Sequence, residues 1–126
     1  MKTALLSLFL AATPALAIDV PSGQPVTLQE VLVDEIGPQI WLRFRFVAPE
    51  IARGAGGVDY ETAAGDMAHL CDALALPYIA QYDLTGDVIV ISLADRLTEF
   101  GTADPDATQF FEAYRVENGL CIWEGL

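Results

Sequence analysis

Trp41-Leu42-Arg43-Phe44-Arg45 is the stretch of this chain whose residue types best suit recognition. Strict alternation puts Trp41, Arg43 and Arg45 on one side of a strand, with Ile40, Leu42, Phe44 and Phe46 on the other. Trp and Arg are the residues enriched at binding hot spots, and this chain carries a net charge of −12. A pair of arginines beside a tryptophan is therefore an unusual surface here, and Trp41, Arg43 and Arg45 form a candidate binding site. The competing expectation is ordinary sheet chemistry. The arginines would then pair with acids on neighbouring strands, and Trp41 would pack beneath a loop.

Other chemistries find little to build on. His69 is the only histidine, three residues after Asp66 and three before Asp72. Both acids are its neighbours on a helix surface, but that surface reads as the solvent side, and no G-x-S-x-G elbow is present. Asp83-Leu84-Thr85-Gly86-Asp87 and Asp104-Pro105-Asp106 gather carboxylates. Neither fits the EF-hand spacing, and turn chemistry accounts for both. Phosphate loops, dinucleotide fingerprints and zinc spacings are missing, so no metal or cofactor is implied and no catalytic residue is assigned. Eighteen acids against six bases also disfavour nucleic acid as a partner.

The first seventeen residues carry an address. Met1-Lys2-Thr3 is a positive start, Ala4 to Ala12 is apolar, and Ala15-Leu16-Ala17 ends the segment in small residues. This is the three-part pattern of a secretory signal, cleaved after Ala17. The apolar run falls short of the ~20 residues needed to span a bilayer, and no second candidate for a membrane span follows. The expected mature chain, 18–126, is a single periplasmic domain with five arginines against eighteen acids. Its surface favours cations or basic partners, or simply keeps an exported protein soluble. Export also changes how Cys71 and Cys121 are read. In an oxidising compartment two cysteines of a small domain pair, and neither has a basic neighbour in sequence that would make it a reactive thiol.

The elements that must position these residues follow from periodicity. Residues 18–25 read as a loose lead-in with two prolines and a glycine. Val26 to Glu35 reads as a strand in which a bulge near Gln29-Glu30 lets Val26, Leu28, Val31 and Val33 share a face. Gly37-Pro38 marks a turn into the strand Ile40 to Val47. Residues 49–58, with three glycines, form a mobile connection. A helix follows, with Asp59 as N-cap and Tyr60, Ala63, Ala64, Met67, Leu70, Cys71 and Leu74 on its apolar face. Glu61, Thr62, Asp66, His69 and Asp72 lie opposite, and Pro77 ends the pattern. Asp87 to Leu93 is a nearly continuous β-branched run, as in an interior strand. Gln109 to Val116 and Leu120 to Glu124 flank Asn118-Gly119, a strong hairpin signal. Its two-residue turn sets Glu117 against Leu120, Val116 against Cys121 and Tyr114 against Trp123. A Cys71–Cys121 bridge would then join helix to sheet.

The stretches PSGQPVTLQEVLVDE…WLRFRFVAPEIAR, MAHLCDALALPY and ATQFFEAYRVENGLCIWEGL resemble a family of small exported bacterial proteins classed as a domain of unknown function. The closing CIWEG is the most specific part. The resemblance implies a periplasmic protein and brings no established activity. Some members carry the label acetolactate synthase, which needs a thiamine-diphosphate motif of the GDG…NN kind that this chain lacks.

Together these readings predict an α+β fold: an antiparallel sheet of about five strands with one main helix packed on one face. The function expected is a non-catalytic binding or accessory module acting on another periplasmic or envelope protein. The alternative is a small hydrolase or lyase using carboxylates in a sheet-edge cleft.

Overall fold

Alternating apolar residues build the sheet, and one run of helical periodicity covers half of it. The computed structural model describes residues 17–54 and 57–125. The expected signal therefore lies outside the described residues, apart from Ala17. The strands are β1 (Thr27–Ile36), β2 (Gln39–Val47), β3 (Val88–Ala94), β4 (Gln109–Glu117) and β5 (Leu120–Glu124), in spatial order β1-β2-β3-β4-β5. Between β2 and β3 run a 3-10 turn (Pro49–Ile51), α1 (Tyr60–Leu70), a π-helical turn (Cys71–Ala75) and α2 (Leu76–Gln81). The last three form one continuous helix. The class is α+β, as expected.

The sheet itself is mixed, which corrects the antiparallel expectation. Three neighbouring pairs are antiparallel. β2 and β3 instead run parallel, from Trp41 beside Val88 to Val47 beside Ala94. The helix between them explains this, because a crossover returns the chain to the end of the sheet where the previous strand began. The expected bulge in β1 is present as a register shift between Leu28 and Glu30. Around Asn118-Gly119 the pairs are Glu117 with Leu120, Val116 with Cys121 and Tyr114 with Trp123, as the turn demands. Both turn residues have positive φ, 53° and 77°, the left-handed conformation that Asn and Gly tolerate best.

Asp59 caps α1, its carboxylate accepting from the Thr62 N–H at 2.9 Å. Ala63, Met67, Leu70, Cys71 and Ala75 face inward. They meet Leu42, Phe44 and Phe46 of β2 and Ile89, Ile91 and Leu93 of β3, which form the main core. Pro77 does not stop the helix. Proline lacks an N–H and its ring crowds the carbonyl four residues back. The wide turn just before it, closed by the Leu76 N–H on the Cys71 carbonyl, gives the ring room. The helix therefore continues to Gln81, and Tyr78 packs edge-on against Phe44 at 5.5 Å.

Two further expectations are corrected by one contact. Asp66 does not face solvent, and the lead-in is not loose. Asp66 is 1% exposed. Its carboxylate accepts from the Ser22 N–H (2.9 Å), the Ser22 hydroxyl (2.6 Å) and the Gln24 side-chain amide (2.7 Å). Val20 and Val26 are buried beside it, and the Ile18 N–H donates to the Val26 carbonyl at 2.8 Å. The buried carboxylate is tolerated because three donors replace its water.

The disulfide joins Cys71 to Cys121, 50 positions apart. Beside it the Cys121 N–H donates to the Asp72 carboxylate at 2.9 Å. The bridge thus links the helix to β5, as the apolar-face position of Cys71 implied.

Candidate functional site

The helix covers one face of the sheet. The other carries Trp41, Arg43 and Arg45, brought together by β2 as the alternation predicted. Parallel pairing sets Trp41 beside Val88, Arg43 beside Val90 and Arg45 beside Ser92. Beyond them β4 sets Ala113 beside Val90 and Phe111 beside Ser92. The Arg43 and Arg45 rungs of this face therefore run from β2, through β3, to β4.

The β3–β4 connection, residues 95–108, doubles back over this face as a strap. Its base is fastened twice, by the Asp95 N–H on the Thr108 carbonyl (3.0 Å) and the Thr108 N–H on the Asp95 carboxylate (3.2 Å). Arg96 grips the same carboxylate through Nε and Nη2 at 3.0 and 3.1 Å. These Arg96 bonds, helped by the Thr108 N–H, hold the Asp95 carboxyl below its ordinary value despite the opposing effect of burial. Further along, Gln29 donates to the Thr98 carbonyl at 2.7 Å, and Arg45 donates to the Thr98 hydroxyl at 2.8 Å. Phe100 then lies over both arginines, its ring centre 5.2 Å from the Arg43 guanidinium and 5.5 Å from that of Arg45. The Trp41 ring flanks Arg43 at 5.3 Å, within cation–π range.

The arginines also pair with acids of β1. Arg43 Nε donates to Asp34 at 2.8 Å, and Arg45 bonds to Glu30. Their charge is thus neutralised within the face. This is the cross-strand chemistry weighed for them above, and the aromatic stacking is added to it. The strap encloses a recess of about 190 Å³. Val90, Ser92 and Ala94 line it from β3, Phe111 from β4, and Phe100 and Thr102 from the strap. Glu99 is the one carboxylate among its lining residues.

Phe100, Thr98 and Phe111 were missed in sequence. Phe111 had a signal: in Gln109 to Val116 the adjacent Phe110 and Phe111 must point to opposite faces, so one of them leaves the core. Phe111 is 59% exposed. Phe100 and Thr98 sit in a loop without periodicity, where no pattern marks them.

The remaining candidates sit elsewhere. His69 is exposed on α1. The Asp104 carboxylate accepts from the Asp106 N–H as turn chemistry, whereas that of Asp87 accepts from the Ile40 N–H, 47 positions away, where β2 and β3 begin to pair. On the helix side Tyr114 is 3% exposed, and burial pushes its phenol up, with Glu112 and Asp72 adding to the effect. Among the described residues no group of three or more His, Cys, Asp or Glu side chains is placed to hold a metal ion. No helix among them is long and apolar enough to cross a membrane.

A small α+β domain, with a mixed sheet pinned by a disulfide to its helix, is the class these features define. The chain belongs to the Family of unknown function (DUF6497), whose model matches residues 4–126. No curated protein and no solved structure gives a match.

Proposed function

We propose that this chain is an exported, periplasmic binding or accessory module, non-catalytic in itself, that engages another periplasmic or envelope protein. It works through the sheet face that the helix leaves open. One observation carries this reading. Phe100 and Phe111, 45% and 59% exposed, flank a recess beside Trp41 and the paired arginines. Aromatic side chains held around a recess by a rigid sheet are what a protein-recognition surface requires. Carboxylate catalysis has less support, because the recess has one lining acid where acid–base work on a glycosidic bond uses two.

Export is supported by the leader pattern of Met1 to Ala17 and by the cysteine pair. Periplasmic protein should begin at Ile18, and an intact mass that retains residues 1–17 would refute the cleavage. Binding is tested by immobilising the mature protein and the Trp41→Ala/Phe111→Ala variant and capturing periplasmic partners for mass spectrometry. Each truncation of a hot-spot aromatic costs roughly 2 kcal/mol. The variant should keep its circular dichroism and lose the partner. Equal capture by the folded variant would sink the proposal.

A further inference from the structure

The size, lining and charge of the recess narrow the partner. We infer that it receives one aromatic or large aliphatic side chain, presented by a basic segment of a partner protein. This rests on the binding-module reading above and adds the chemistry of the occupant.

Size comes first. At about 190 Å³ the recess is well below the roughly 300–1,000 Å³ of pockets that enclose drug-sized ligands. It has room for a single large side chain. Val90 and Ala94 give it apolar contact on the sheet side, and Phe100 and Phe111 stand at its walls. Ser92, Thr102 and Gln109 add hydroxyl and amide groups that can meet the main chain of the incoming segment.

Charge decides what flanks the anchor. An anion is disfavoured although two arginines line the recess, because Asp34 and Glu30 already neutralise them and Thr98 takes a further donor of Arg45. The strap contributes Asp95, Glu99, Asp104 and Asp106 against one cation, Arg96. Since Arg96 is spent on Asp95, Glu99 is left as the acid at the recess itself, on a chain whose overall charge is −12. A second copy of this chain, itself at −12, would be repelled. A segment with lysine or arginine beside its anchor is attracted, and loses a rival whose flanks are acidic.

The test uses the mature, oxidised protein and three acetylated, amidated peptides: Lys-Lys-Phe-Lys-Lys, Lys-Lys-Ala-Lys-Lys and Glu-Glu-Phe-Glu-Glu. Binding is followed by amide NMR shifts. The basic phenylalanine peptide should move the amides of Ser92, Phe100, Thr102 and Phe111. The alanine-centred and glutamate-flanked peptides should bind about tenfold more weakly or worse. Ser92→Leu, which fills the recess from β3, should abolish the shifts. Should that variant fail to fold, Phe111→Ala, altered at an exposed position, should weaken them severalfold. Absence of shifts at those four amides, or equal binding of the glutamate peptide, would overturn the inference. A partner captured through Trp41 and Phe111 but docking by an acidic segment would overturn it as well, while leaving the module reading intact. Loss of the module reading would show instead as capture indifferent to both residues.

Discussion

Breaking the Cys71–Cys121 bridge should remove a large share of this protein's stability. Cys71 is fully buried at the junction of α1 and the π-helical turn, and Cys121 lies on β5, an edge strand whose one sheet neighbour is β4. The residues bridged are 50 apart. In the chain-entropy account, closing such a loop in the unfolded chain is worth about 4 kcal/mol. A domain of this size holds roughly 5–15 kcal/mol in total. Urea unfolding of the oxidised protein and of Cys71→Ala measures the difference. With a slope of roughly 1–3 kcal/mol per molar, the midpoint should fall by roughly 1.3–4 M. Cys121→Ala and the double variant should fall by the same amount, since each removes the same bond. The loss should also be uneven. Apart from β4, what holds β5 beside the helix is the bridge and the bond from the Cys121 N–H to Asp72. Amide exchange should therefore rise in β5 before it rises in β2 or β3. Two free thiols per native chain would refute the reasoning, as would a midpoint unchanged by the double variant.

Three other expectations follow from single contacts. Asp66→Ala strands the donors of Ser22 and Gln24 and should cost about 2–3 kcal/mol in urea unfolding, with exchange rising first across residues 18–26; unchanged protection there would refute the pinning. Gly86→Ala sets a methyl 2.6 Å from Leu42 Cγ in the core, and should lower stability by about 1–3 kcal/mol, read from the same unfolding curves. Asp95 has a lowered folded pKa, so its contribution is present above the ordinary value of 3.8 and is lost as pH falls through the lower folded value. Acid unfolding should therefore begin at a higher pH in Arg96→Gln, and coincident acid curves for variant and wild type would count against the strap anchor.

What was legible in the sequence was local. The bulge at Gln29 and the Asn118-Gly119 register follow from period-two patterns and turn chemistry, and the structure has both. The disulfide was expected because the sequence holds two cysteines behind a leader pattern, and the helix and hairpin faces agreed with that pairing. What was not legible depended on distant segments. Asp66 looked solvent-facing because periodicity counts only the helix, while the donors that bury it come from residues 42 and 44 positions away. Pro77 looked like a stop because the π-helical turn that accommodates it leaves no mark in composition. The parallel pairing of β2 and β3 was hidden for a similar reason: each strand alone shows its faces but not its direction relative to the other. At the candidate site, Trp41, Arg43 and Arg45 were visible on β2. The loop that lays Phe100 across them was not.

The parallel pairing also divides the work of folding. β1 and β2 are joined by a tight turn, and β3, β4 and β5 follow one another as a meander, so most rungs of the sheet close locally. Every rung between β2 and β3 instead joins residues 47 positions apart. Such long-range closure must await the helix that spans it, and loop entropy makes it the slow event. Until then β2 and β3 both present open edges. Those edges carry the apolar residues Leu42, Phe44, Ile89 and Ile91, which invite pairing with another chain. The disulfide cannot guard against this, because both of its cysteines lie after β2. The seam between β2 and β3 is thus where assembly of this chain is most exposed to error, and the last place its sheet becomes whole.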